Sequence, residues 1–282
     1  MKFGINTPNF GWSGDVDLFV GLACDAEDAG WDGFFLWDHL LVFENDMHVP
    51  FVDPWITLTA IACSTEKIWL GPLITPLPRR RPWKVARESA TLDHLSKGRL
   101  ILGVGIGAPP EVEYGKFGEE IDAKVRAEKL DECLDIITGL WTGKPFSYSG
   151  IHYQLDEMTF LPMPYQKSGI PIWVGGSWPY KAPFRRAAHY SGVAPVHSKW
   201  PETLKLEYLR DCLDVVKAER KHLKDFDIIA FGETSGTDID ADRKKLDEWK
   251  KMGTTWWIED IHGYRAELSD LRERIRLGPP KL

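Results

Sequence analysis

No stretch of the chain approaches the ~20 consecutive apolar residues that a membrane-spanning helix needs. The amino terminus, MKFGINTPNF, runs straight into strand-like sequence without the apolar region of a signal peptide. Both absences lead to the expectation of a cytoplasmic protein with no membrane partner. Cysteine is scarce: Cys24, Cys63, Cys133 and Cys212 lie far apart in helix-like patterns, form no C-x-x-C pair, and read as reduced core residues. Basic charge is not in excess either. With 35 Lys and Arg against 42 Asp and Glu, the net charge of −7 offers no field for nucleic acid, which leaves a small molecule as the expected partner. Metal-hydrolase signatures are missing, since no H-x-H follows the first strand-like segment and no H-E-x-x-H occurs, so no metal is expected. A Schiff-base lyase is disfavoured as well, because the only lysine on an expected strand is Lys2.

What the chain does have is Leu100–Gly107, LILGVGIG, an apolar run that thins into alternating glycines and stops at Ala108-Pro109-Pro110. Such a run suits a strand buried on both faces, and glycines at its carboxyl end let a ligand approach the backbone. Gly103, Gly105 and Ala108 match the G-x-G-x-x-G/A spacing of a dinucleotide site. That site also needs a helix opening on the glycines and an acidic residue ending the next strand, and neither follows here.

Around this strand the pattern alternates. Strand-like segments at Lys2–Asn6, Phe34–Trp37, Ile68–Thr75, Leu100–Gly107, Pro171–Val174, Gly192–Pro195, Asp227–Phe231 and Thr255–Ile258 are each followed by helical spacing. The clearest helices are Asp15–Ala29, Trp55–Ser64 behind an Asp53-Pro54 start, Pro82–Leu95 and Lys124–Trp141. Eight strand–helix units in 282 residues predict a (β/α)8 TIM barrel forming a single domain over 1–282. An excursion at about 146–169 interrupts the rhythm between strands four and five. A doubly wound open sheet is the alternative.

In a barrel the ligand sits at the carboxyl ends of the strands, which restricts the candidates. Asp38-His39 is the best acid–base pair, because imidazole titrates near neutrality, although neighbours on a strand point to opposite sides and need not touch. Gly175-Gly176-Ser177 reads as a turn whose free N–H groups would hold a phosphate, or as a plain tight turn. Arg79, Arg80 and Arg81 would hold an anionic tail or form a solvated rim. The remaining strand-end residues are Asn6, Thr75, His197, Glu233, Glu259, Asp260 and His262.

Several segments, in order, resemble the luciferase-like oxidoreductases that use a flavin or deazaflavin. They are GWDGFFLWDH (Gly30–His39), the DPW helix start (Asp53–Trp55), Ile68–Gly107, RAEKLDECLDIITGLWTG (Arg126–Gly143), GIHY (Gly150–Tyr153) and IPIWVGG (Ile170–Gly176). The resemblance implies a (β/α)8 barrel with a reduced isoalloxazine-type ring, of FMN or coenzyme F420, in its mouth. It places Thr75 in a strand bulge behind the ring, Gly105, Gly107 and Ala108 along the cofactor, Gly175, Gly176 and Ser177 at its phosphate, and Asp38 and His39 beside the ring with His39 catalytic. The expected function is oxygenation of, or hydride transfer to or from, a small apolar or aromatic substrate. Loops Leu40–Val52, Pro109–Ile121 and Phe146–Lys167 would form the substrate pocket through Phe43, Tyr114 and Phe117. A homodimer through the helices Trp55–Ser64 and Pro82–Leu95 is expected. The alternative is a phosphate-binding barrel hydrolase or a catalytically silent cofactor-binding protein.

Overall fold

The computed structural model describes residues 1–42, 48–199 and 202–281. The strands are β1 (Lys2–Thr7), β2 (Gly33–Leu36), β3 (Trp69–Pro72), β4 (Thr75–Pro76), β5 (Leu102–Gly105), β6 (Phe146–Ser149), β7 (Gln154–Met158), β8 (Ile172–Trp178), β9 (Gly192–His197), β10 (Asp227–Gly232) and β11 (Trp256–Asp260). The α-helices are α1 (Val16–Asp28), α2 (Pro54–Ser64), α3 (Pro82–Leu95), α4 (Pro110–Glu113), α5 (Ala123–Trp141), α6 (Ala182–Ala187), α7 (Leu206–Glu219), α8 (Ile239–Lys251) and α9 (Leu268–Arg276).

Nine parallel segments hydrogen-bond in the order β3-β2-β1-β11-β10-β9-β8-β5-β4. β3 and β4 are two halves of one stave, interrupted at Leu73-Ile74, whose peptide bond is cis. The barrel closes across this stave: Ile101 N–H donates to Leu70 C=O at 2.9 Å, and Thr75 pairs with Val104. The result is the (β/α)8 barrel that the alternation predicts. Helices start where the sequence places caps: Asp53 accepts the Ile56 N–H at 2.9 Å, and Asp122 accepts from Lys124 and Val125.

Inside the barrel Phe35, Trp173 and Trp256 form an aromatic plug, with ring centroids 5.2–5.9 Å apart. At the amino ends of the strands Lys2 Nζ lies 4.9 Å from the Trp256 ring and 5.2 Å from that of Trp69, a cation–π cap under the plug. The outward strand faces and inward helix faces make the larger core, including Ile5, Phe34, Leu70, Leu102, Val174 and Ile228.

The 146–169 excursion contains the antiparallel hairpin β6–β7. Its turn is fastened to α5, where the buried carboxylate of Glu132 accepts the N–H groups of Ile151, His152 and Tyr153. A Cβ at Gly150 would lie 2.3 Å from Glu132 Oε2, so the GIHY step needs its glycine for this approach. Farther on, Asp93 of α3 accepts both the backbone and side-chain N–H groups of Gln166.

Candidate active site

Asp38 and His39 follow β2 and separate at once. Asp38 is buried beneath the loops, where its carboxylate accepts from Arg79 Nη2 (2.6 Å), Arg80 Nη2 (2.8 Å), the Trp55 indole (3.3 Å) and the Thr75 hydroxyl. Burial pushes this carboxyl upward, but Arg80 and Arg79, with Thr75, outweigh it and hold Asp38 below the ordinary carboxylate range. Asp38 is therefore held as an anion among Arg79, Arg80, Trp55 and Thr75, while the ring of His39 is engaged by a different carboxylate. Both arginines are anchored on this cluster and do not form a solvated rim, although the Nε of Arg80 has no partner among the described residues.

His39 meets a partner that the sequence reading did not identify. Its Nδ1 lies 2.8 Å from Oε1 of Glu113, a buried residue at the end of α4. The same carboxylate accepts the N–H groups of Leu40 (3.1 Å) and Leu41 (3.3 Å), and its other oxygen takes Arg79. Glu113 is thus surrounded by donors, which favours the tautomer of His39 that carries its proton on Nδ1. Edge-on contacts from Phe10 and Trp37 hold the ring, and Asn9 ties the His39 backbone through its N–H and C=O. Arg79 spans Asp38 and Glu113, which makes the cluster a single unit of two carboxylates and two guanidiniums beside one imidazole.

Thr75 is placed differently from the expectation. The interruption of the stave falls at Leu73-Ile74, and Thr75 is fully buried on Asp38. Ile74 takes the inner position: its Cδ1 would lie 2.0 Å from a Cβ at Gly105 and 3.0 Å from one at Gly175. The two glycines leave a cradle that this one side chain fills, giving a smooth apolar platform in the mouth. Gly107 turns at φ +77°, and a Cβ there would lie 2.9 Å from the Tyr114 hydroxyl; Ala108 is exposed on the rim.

Gly175, Gly176 and Ser177 do not form a turn. They continue β8, in register with Ala194, Pro195 and Val196 of β9, while pairing with β5 ends at Val104↔Val174. The glycines are strand and not turn, and beyond Val174 only the β9 side of that strand is paired, so its β5-side edge faces the barrel mouth without a ladder partner among the described residues. Of the expected pocket residues, Phe43 lies outside the described residues and Phe117 is about half exposed. Tyr114 is buried, its hydroxyl donates to Ile106 C=O at 2.8 Å, and burial pushes the phenol up to about 12 although Arg79 and Arg126 oppose it. Tyr114 supports the Gly107 loop from beneath. A cavity of about 200 Å³ lies instead between the loops leaving β1 and β11, walled by Phe10, Trp12, Val49 and Tyr264.

A flat apolar platform, close backbone at Gly105 and an imidazole oriented by Glu113 fit a planar redox ring. When bound, a flavin or deazaflavin supplies the electron-pair acceptor or donor that no side chain here provides.

The comparisons agree with this geometry. The model of the luciferase-like monooxygenase family matches residues 1–275. An F420-dependent glucose-6-phosphate dehydrogenase of Nakamurella multipartita is 34% identical over 251 residues, 84% of this chain and 69% of that one. The same-named protein of Microbacterium testaceum is 38% identical over 157 residues, and the match spans 45% of its length. Among solved structures, an F420-dependent secondary alcohol dehydrogenase in complex with an F420-acetone adduct has a TM-score of 0.80 at 17% identity, covering 99% of this chain and 98% of that one. The coenzyme F420 dependent tetrahydromethanopterin reductase of Methanopyrus kandleri has a TM-score of 0.76 at 20% identity, covering 98% and 96%. Barrel, broken third stave and strand-end histidine thus coincide with a family match over nearly the whole sequence, and the chain belongs to the luciferase-like monooxygenase family of oxidoreductases.

Proposed function

We propose that this chain is a coenzyme F420-dependent dehydrogenase or reductase that moves a hydride between the deazaflavin and a carbinol or carbonyl carbon of a small substrate. The observation that carries the reading is the Glu113–His39 couple at the barrel mouth. Oxidation of an alcohol to a carbonyl releases a hydride and a proton; a bound deazaflavin would supply the hydride acceptor, and His39 accepts the proton, with the roles reversed in reduction. Glu113 orients the imidazole through Nδ1, and the Asp38–Arg79 contacts keep that carboxylate in place. The cavity walled by Phe10, Trp12, Val49 and Tyr264 suits the apolar part of a substrate. F420 is favoured over FMN by the F420-dependent relatives above 30% identity.

Anaerobic titration of the purified protein with F420 and with FMN, followed by F420 reduction with a panel of small alcohols and sugar phosphates, tests this. F420 should bind and be reduced. His39→Ala should slow reduction by ~10²–10⁴-fold while the F420 Kd changes little. Binding of FMN alone, with oxygen uptake by the reduced complex, would indicate a monooxygenase. Binding of neither would leave the non-redox alternative.

A further inference from the structure

Two and three staves round the mouth from the Ile74 platform, β1 and β11 end in a polar pair that the His39 cluster does not use. Asn6 and Asp260 are partners in the parallel ladder, and both belong to the inward set of their strands. Gly4 abuts Ile258 and Phe35 inside the barrel, and Trp256 and Ile258 are part of its interior cluster, so the next inward positions face the mouth. Asn6 is 4% exposed, and its Oδ1 finds no hydrogen-bond partner among the described residues. A buried acceptor without a donor is costly in a finished core, and here it stands at the open end of the barrel. Asp260 remains half-buried beside it.

We propose that Asn6 and Asp260 read the imide edge of the flavin-type ring: Asn6 Oδ1 accepts the ring N3–H, and the Asp260 carboxyl donates to the adjacent ring carbonyl. The inference rests on the cofactor reading above, but flavins and deazaflavins share this edge, so it holds for either. Complementarity is the physical reason. A cyclic imide presents a donor flanked by acceptors, and the pair presents an acceptor beside an acid that can donate. Burial, then the charges of Glu259 and Glu233, push the Asp260 carboxyl up to about 8, with the facing Asn6 amide and Arg265 opposing, so it keeps its proton at neutral pH. Arg265 is itself occupied by Glu259 and by the Asp260 backbone carbonyl, which leaves the Asp260 side chain without a dedicated cation.

The test is fluorescence titration of wild type, Asn6→Ala, Asp260→Ala and Asp260→Asn with F420, FMN and the N3-methyl derivative of each. Asn6→Ala and Asp260→Ala should raise the Kd of the native cofactor about tenfold, and Asp260→Asn, which keeps a neutral donor, should stay within about threefold. N3-methylation should weaken binding to wild type about tenfold and leave binding to Asn6→Ala nearly unchanged. Wild-type affinity in both alanine variants, or an equal N3-methyl penalty in every protein, overturns the inference while the cofactor reading stands. Failure of wild type to bind F420 or FMN overturns both.

Discussion

Asp38 and His39 are neighbours in sequence with separate duties. Asp38 sits between two guanidiniums, and Asp38→Asn would leave Arg79 and Arg80 buried without one of their anions, at a cost of about 3–5 kcal/mol. The pH dependence follows from the lowered carboxyl. Because the folded value lies below the unfolded value of about 4, the contribution of Asp38 is fully present above that pH and is lost as pH falls through the folded value. Urea unfolding from pH 7 to pH 3 should therefore show a smaller loss of stability on acidification in Asp38→Asn than in wild type. An equal loss in both proteins would show that the Asp38 pairings contribute nothing measurable.

At the scale of elements, the turn of hairpin β6–β7 is fastened by the Glu132 carboxylate, with a second tie from His152 to Glu128. Glu132→Ala should release the amides of Ile151, His152 and Tyr153, lowering their protection from hydrogen exchange by an amount corresponding to about 1–3 kcal/mol and leaving barrel amides unaffected. Unchanged exchange at those amides would mean that the strand ladder, the Glu128–His152 contact and the packing of Tyr153 hold the turn without Glu132. The strand–helix alternation was legible in the sequence because parallel strands covered on both faces read as apolar runs, and because Asp-Pro and Gly punctuate the helices. Two features were not. β8 runs on through Gly175-Gly176-Ser177, where glycines suggest a turn but pairing with Ala194–Val196 keeps the chain extended. The third stave breaks at Leu73-Ile74 inside an unremarkable apolar run, so the platform residue was expected one position too late. In the site, His39 could be found from its place at a strand end. Glu113 could not, because it stands 74 residues away on another loop, and only the closed barrel brings the two together.

For the whole molecule, α2 has most of its surface inside the core, yet Ile56 stands 67% exposed on it. We propose that α2 and α3 pair two copies of the chain. Light scattering at micromolar concentration should give a dimer for wild type and a monomer for Ile56→Asp; a monomeric wild type would remove the proposal. Among the described residues no helix is long and apolar enough to cross a membrane. The aromatic plug has its own consequence for traffic through the barrel. With Phe35, Trp173 and Trp256 filling the interior and Lys2 capping it below, the well is blind at one end. A ligand seated on the plug beneath a second one would have to enter first and leave last, so depth and not relative affinity would set the order of their exchange.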